Sequence, residues 1–253
     1  GSVLFDQEQL IGLKGKQMRK RRSDLQIIFQ DPMASMNPRM LVGDIIEEGM
    51  RAQGLGGNGA SRAERVSELL RHVGLSEEAI SRYPHEFSGG QRQRICVARA
   101  LAVEPELVIC DEPTSALDVS VQAQILNLLK SLQEEHQLSY LFITHNISVV
   151  AYLAHEVAVM YLGRIVERGK VDEILESPRH PYTQALLSAV PVIDKESKRK
   201  VIRLEGDMPS PANPPAGCHF HPRCPLASDE CRAAYPPEVV ISESHQANCF
   251  KVK

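Results

Sequence analysis

Leu107-Val108-Ile109-Cys110 is a continuous apolar run closed by Asp111-Glu112, and it limits the fold of the chain more than any other stretch. A strand with one wet face alternates apolar and polar residues. A run without alternation is the pattern of a strand buried on both faces of a parallel sheet. Tyr140 to Ile143 repeats the pattern, and between the two runs Val121, Ile125, Leu128, Leu129 and Leu132 fall at helical spacing. Strand, helix, strand in that order implies a right-handed crossover and an α/β sheet. Leu25 to Phe29 is a third short run of strand type, reached through a basic stretch (Lys14, Lys16, Arg19, Lys20, Arg21, Arg22) that reads as a solvated face because no aromatic residues interleave with it. Val66, Leu69, Leu70 and Val73 mark a helix that Gly74 ends as a C-terminal cap. Val157 to Leu162 and Arg164 to Val166 flank Gly163 and predict a hairpin leaving the sheet.

Composition removes several classes. The 253 residues carry 29 Lys+Arg against 32 Asp+Glu, a net charge of −3, whereas a nucleic-acid-binding domain is normally net basic. Hydrophobic residues make up 43%, too many for a disordered chain. The most apolar stretch, 140 to 163, is interrupted by His145, Asn146, His155 and Glu156, short of the ~20 apolar residues a membrane-spanning helix needs. No N-terminal signal peptide is visible. With no secretion signal, the four cysteines crowded at the end (Cys218, Cys224, Cys231, Cys249) suggest a metal site before disulfides.

Asp111 and Glu112 would emerge at the C-terminal end of a buried strand, the edge where open α/β sheets bind ligands. There an acidic pair can divide labour, one carboxylate holding Mg²⁺ and the other polarising an attacking water. Twenty residues upstream of Asp111, Phe87-Ser88-Gly89-Gly90-Gln91 opens a helix-like run, with Ser88 as N-cap and glycines that let backbone N–H groups approach an anion. Pro113-Thr114-Ser115-Ala116-Leu117-Asp118 follows the acidic pair, and Thr144-His145-Asn146 follows the next strand.

At these residues the chain resembles the nucleotide-binding subunit of ABC transporters, over about residues 1 to 190. Gln30 in Phe29-Gln30-Asp31-Pro32 resembles the Q-loop; Phe87 to Gln91 resembles the signature motif, with Phe where many relatives have Leu. Leu107 to Asp111 plus Glu112 resembles Walker B with its catalytic glutamate; Ser115 to Asp118 resembles the D-loop; His145 resembles the switch histidine. The resemblance implies an α/β nucleotide-binding domain of the P-loop NTPase fold with a helical subdomain at about 36 to 104. It also implies a head-to-tail dimer in which each ATP lies between the phosphate loop of one subunit and the signature of the other. Carried over, Asp111 would hold Mg²⁺, Glu112 would polarise the hydrolytic water, and His145 would contact the γ-phosphate. Gln30 would sense that phosphate and relay to a membrane subunit. Ser88, Gly89, Gly90 and Gln91 would face the partner's nucleotide, and Asp118 would belong to the D-loop beside it.

The sequence holds no G-x-x-x-x-G-K-[ST]; Gly12-Leu13-Lys14-Gly15-Lys16-Gln17 has the wrong spacing and ends in Gln. In the family that loop and the first strands precede the Q-loop, so the expectation is a C-terminal part of a transport ATPase. The parent protein would hydrolyse ATP and these residues alone would not.

Ser177 to Leu187 (Ser-Pro-Arg-His-Pro-Tyr-Thr-Gln-Ala-Leu-Leu) resembles a segment of dipeptide and oligopeptide importer ATPases, and Gly217 to Pro225 with Cys231 and Cys249 resembles their cysteine-bearing tail. The polar stretch 191 to 217, with prolines at 209, 211, 214 and 215, reads as a linker to a Cys-rich region at 218 to 253. That region shows no periodicity able to bury a core of its own, so it needs a staple. The spacing C-x5-C-x6-C-x17-C is a poor zinc pattern, although His219, His221 and His245 could substitute as ligands. Four irregularly spaced thiolates can hold a [4Fe–4S] cluster, and the resemblance points the same way; unliganded buried cysteines are the remaining alternative. Partners implied are a second ATPase subunit, membrane permease subunits and, through them, a substrate-binding protein, with no nucleic acid, at the cytoplasmic face of the cell membrane. The rival readings are an ABC ATPase of DNA repair or translation, which would carry coiled-coil insertions or a tandem cassette, and a non-catalytic regulatory or redox-sensing fragment. The cargo, whether dipeptide, oligopeptide, nickel or glycoside, is not encoded in these residues.

Overall fold

The structure, a computed structural model, describes residues 1–190 and 201–252; the first part of the expected linker, 191–200, lies outside the described residues. The chain divides into two compact units, Gly1–His145 and Asn146–Lys253.

The first unit opens with a small hairpin, β1 (Leu4–Phe5) and β2 (Glu8–Gln9), turned through Asp6 and Gln7, both at positive φ. The basic stretch then forms α1 (Gly15–Asp24), which buries no residue, as expected of a solvated face. Arg21 is held from two sides by Glu8 and Asp24. Next come β3 (Leu25–Ile28), the single turn α2 (Pro32–Ser35), and the helices α3 (Val42–Gln53), α4 (Gly59–His72) and α5 (Gly89–Leu101). After α4, Gly74 sits at φ +72 and its N–H bonds back to Arg71 O while Leu75 N–H reaches Leu70 O, the closing pattern a left-handed residue permits. The unit ends with β4 (Leu107–Asp111), α6 (Val119–His136) and β5 (Ser139–Ile143).

β3, β4 and β5 form a parallel sheet in that order, with Ile28, Cys110 and Phe142 in one register row and Ile27, Ile109 and Leu141 in the next. The first row faces a helical layer whose core includes Ile46, Leu69, Leu70, Ile95, Ile125 and Leu129. Each such side chain taken fully from water stabilises the unit by roughly 1.5–3 kcal/mol. The second face departs from expectation. Leu141 and Ile143 are 53% and 47% exposed, so β5 is covered on one side only. An unbroken apolar run records what each residue tolerates, not what lies over it.

In the second unit, α7 (Ile147–Leu153) is capped by the Asn146 side chain, which accepts from Ser148 N–H. β6 (Glu156–Tyr161) and β7 (Arg164–Lys170) form the predicted hairpin through Leu162 and Gly163, both at positive φ, the two-residue turn whose twist matches antiparallel strands. α8 (Val171–Glu176) and α9 (Pro181–Ser188) follow, the latter started by Pro181 and capped by His180 Nδ1, which accepts from Tyr182 N–H at 3.1 Å. The tail contains α10 (Asp229–Ala233), β8 (Glu238–Val240) and β9 (Gln246–Asn248). β9 pairs with β7 on one side and β8 on the other, giving the sheet order β6-β7-β9-β8. Strands of three residues are too short to show a period, which is why the sequence of the tail looks unstructured.

Glu167 of β7 ties this unit together. Its carboxylate is fully buried, accepts the backbone N–H groups of Arg179 at 2.6 Å and His180 at 3.0 Å, and lies 2.7 Å from His245 Nε2. Three donors offset the large desolvation penalty of a buried carboxylate. Around Phe220, which is 1% exposed, the rings of Tyr161, Tyr182 and His180 stand 5.2, 5.4 and 5.7 Å away, centroid to centroid.

Candidate functional site

The C-terminal ends of the three parallel strands bring Gln30, Glu112 and His145 to one point. Glu112 Oε2 accepts from Gln30 Nε2 at 2.8 Å, and Oε1 stands 2.9 Å from His145 Nδ1. Parallel strands deliver their following residues to the same edge, so positions 82 and 33 residues away in sequence meet on one carboxylate. The Glu112 backbone is in the left-handed region at φ +43. Its N–H donates to Ile143 O at 3.0 Å and its carbonyl accepts from Ser115 N–H at 3.2 Å and Ser115 Oγ at 3.0 Å. A non-glycine residue in that conformation costs on the order of 1–3 kcal/mol and persists only where its surroundings over-determine it, a condition met mostly at functional sites. The His145 ring is 75% exposed and the Glu112 side chain 26%, so the pair opens to solvent. Asp111, the last residue of β4, is half-buried beside Ile143 in the register and offers a second hard oxygen at the same edge. A carboxylate held at both oxygens by donors and open at its mouth can orient and polarise one water, and an adjacent aspartate suits Mg²⁺.

The Ser88 to Gln91 segment forms the start of α5. Ser88 Oγ accepts from Gln91 N–H at 3.3 Å and Gln91 Oε1 accepts from Ser88 N–H at 3.0 Å, a reciprocal capping box. Phe87 is buried beneath the Arg82 guanidinium, 4.6 Å from the ring centroid, so the aromatic residue that replaces Leu here is part of the core. Gly90 is demanded by close approach: a Cβ there would lie 2.5 Å from Val121 Cγ1, at the start of α6. Asp118 is the N-cap of α6, with its side chain exposed and making no cap bond. Among the described residues, Ser88, Gly89, Gly90, Gln91 and Asp118 make no hydrogen bond to Gln30, Glu112 or His145. One residue that the sequence analysis passed over enters this region: Gln122, whose Nε2 donates to Thr114 O at 2.9 Å and Leu117 O at 3.0 Å. Nothing marks a glutamine in the second turn of an amphipathic helix as anything but solvated, so no sequence signal was available.

The four tail cysteines are neighbours but not a ligand set. Cys218 N–H donates to Cys231 O at 2.8 Å, and a Cβ at Gly217, which is at φ +68, would lie 2.5 Å from the same carbonyl. Burial foremost, and then the neighbouring thiols, push the Cys218, Cys224 and Cys249 thiols up. Among the described residues no group of three or more His, Cys, Asp or Glu is arranged to hold a metal ion, so the geometry supports neither the [4Fe–4S] nor the Zn²⁺ expectation. The Nε2 of His245 is engaged by Glu167.

Residues 1–115 match the family model described as ABC transporter, and residues 166–231 match that of the oligopeptide/dipeptide transporter C-terminal region. The chain is 51% identical over 254 residues to the oligopeptide transport ATP-binding protein OppF of Salmonella typhimurium (strain LT2), an alignment covering all of this chain and 76% of that protein. The chain belongs to the oligopeptide-type ATP-binding subunits of the ABC transporter family. OppF of Escherichia coli (strain K12) is 52% identical over the same shares, and a putative peptide import ATP-binding protein of Brucella ovis is 47% identical over 99% of this chain and 79% of its own length. This ABC subunit also resembles a solved dimer of the ATP-binding cassette MJ0796 in a post-hydrolysis state bound to ADP and Pi. The TM-score is 0.60 at 29% identity, over 68% of this chain and 73% of that one. It resembles cbiO1 of Clostridium perfringens, part of the cbiONQ transporter complex, equally well, with a TM-score of 0.60 at 29% identity over 69% of this chain and 67% of that one. The expected α/β nucleotide-binding fold is therefore the fold of the family.

Proposed function

We propose that this ABC subunit uses ATP hydrolysis to energise the import of oligopeptides. The observation that carries the reading is Glu112, held between Gln30 and His145 with its mouth open to solvent. Glu112 takes the proton from an attacking water, His145 fixes the carboxylate and reaches the terminal phosphate, and Gln30 reports on the same group. Asp111 is the residue that would offer an oxygen to Mg²⁺, and that ion would offset charge on the phosphates when bound. These 253 residues contain no G-x-x-x-x-G-K-[ST] loop.

The α5 N-terminus, with the capping box of Ser88 and Gln91 and the bare Gly89 and Gly90, suits the nucleotide of a second subunit: backbone N–H groups and a positive helix end stabilise an anion without a mobile side chain. A head-to-tail dimer follows, docked on permease subunits at the cytoplasmic face of the membrane. No helix among the described residues is long and apolar enough to cross a membrane. The oligopeptide cargo rests on the relatives' names and on the tail segment they share.

The test is steady-state ATPase of the subunit in its transporter. Glu112→Gln is expected to abolish turnover by about 10²–10⁴-fold while nucleotide binding persists; full activity in that variant refutes the reading.

A second reading concerns the tail. His219 Nδ1 and Arg223 Nε, each next in sequence to a tail cysteine, are buried without hydrogen-bond partners, which leaves two polar groups there for a bound group to meet. That is one point of support for a cluster or Zn²⁺ on Cys218, Cys224, Cys231 and Cys249, without a ligand set to complete it.

A further inference from the structure

The turn that carries Glu112 is closed from inside by a single side chain. Thr114 O receives Leu117 N–H at 3.2 Å and Gln122 Nε2 at 2.9 Å, and Leu117 O receives the same Nε2 at 3.0 Å. At the other end of the turn, Ser115 binds the Glu112 carbonyl through both its N–H and its Oγ. Gln30 Nε2, which donates to Glu112 Oε2, also stands 3.5 Å from Ser115 Oγ. Glu112 at φ +43 and the Gln122 carboxamide are therefore bound to the same short turn, Glu112 at its start through Ser115 and Gln122 at the carbonyls of Thr114 and Leu117.

We propose that Gln122 is a positioning residue for Glu112: by donating to the carbonyls of Thr114 and Leu117 it keeps the 112–117 turn closed and the Glu112 carboxylate between Gln30 and His145. Three features support the assignment. Gln122 is half-buried, and its amide points back along its own helix onto the two carbonyls instead of outward to water. Thr114 is 6% exposed, so its carbonyl region has little water to replace a lost donor. Val121, the preceding residue, packs where a Gly90 side chain would be, so the first turns of α6 are fixed against α5 and give the carboxamide a rigid base. A strained backbone conformation needs such support, and a shift of about 1 Å at a reacting carboxylate is enough to slow chemistry by about 10²-fold.

The inference rests on Glu112 being the catalytic carboxylate, so its test has one arm that does not depend on ATP turnover. Gln122→Met keeps the shape and removes the donor; Gln122→Lys restores an N–H donor of similar reach. In this chain, amide hydrogen exchange at Ser115 and Leu117 is expected to speed up by at least about 10-fold in Gln122→Met relative to the rest of α6, and to recover in Gln122→Lys. In the full-length subunit within its transporter, kcat is expected to fall about 10-fold in Gln122→Met with KM for ATP within about twofold, and to recover in part in Gln122→Lys. Unchanged exchange at Ser115 and Leu117 overturns the clamp. Faster exchange with unchanged kcat overturns its role in positioning Glu112. A wild-type subunit without ATPase activity sinks the proposed function instead, and leaves the exchange arm to decide the clamp.

Discussion

Gln30 and His145 each hold a different oxygen of Glu112, at 2.8 and 2.9 Å. The carboxylate is thus the shared partner of two residues from two strand ends, and neither residue can move without changing what the other orients. His145→Ala is expected to lower turnover by about 10²-fold and Gln30→Ala by less. Their double variant should depart from additivity by about 0.5–3 kcal/mol in activation free energy. A cycle of ATPase measurements on the four proteins reads this directly, and strict additivity would show that the two residues act independently.

Gly90→Ala is expected to destabilise the first unit by about 1–3 kcal/mol, because the added methyl meets Val121 Cγ1 where a Cβ would lie only 2.5 Å from it. Val121→Ala removes the obstructing methyls and should return at least about 1 kcal/mol of that loss in the double variant. Urea unfolding of the four chains tests the pair. If Val121→Ala worsens Gly90→Ala, the contact is not the reason for the glycine.

Burial brings the His180 imidazole down to about 4 from its ordinary 6.5, against the pull of Glu167, so the folded second unit holds it neutral. The sign follows. Between pH 6.5 and 4 the unfolded chain binds a proton that the folded chain refuses, so stability is full above pH 6.5 and falls as the solution is acidified toward pH 4. The loss attributable to His180 is on the order of 2–3 kcal/mol. Thermal unfolding followed from pH 7 to 4 should show this decline, and His180→Asn, which keeps an acceptor for Tyr182 N–H, should flatten it. An equally steep decline in His180→Asn would place the titration elsewhere.

Anaerobic purification followed by iron, zinc and absorption measurements decides the tail. A band near ~400 nm with stoichiometric iron would establish a cluster, and the four cysteines would then rearrange around it. Colourless protein free of iron and zinc leaves Cys218, Cys224, Cys231 and Cys249 as unliganded thiols, the last two buried and the first two half-buried.

Much of this site is legible before any coordinates. Gln30, Glu112 and His145 each follow a short apolar run, and three parallel strands must deliver their next residues to one edge. Ser88 and Gln91 stand at the spacing of a capping box, which is what they form. Other features are invisible for physical reasons. Leu141 and Ile143 read as buried, but apolar character says nothing about whether another layer lies over the strand. Gln122 and Glu167 are ordinary polar residues in the sequence, and only the fold brings carbonyls to one and three donors to the other. The tail strands escaped because three residues cannot display a period.

The placement of β9 between β7 and β8 has a consequence for how the chain is made. Residues 246–248 are synthesised well after β6 and β7, yet they occupy an interior position in their sheet. Until they emerge from the ribosome, the outer edge of β7 has no partner and Glu167 lacks His245. The second unit therefore cannot finish folding until β9 has emerged, and the waiting strand edge is open to pairing with other nascent chains. Closure of that sheet is a single late event, so a chain broken before β9 leaves the whole unit with an unpaired strand edge.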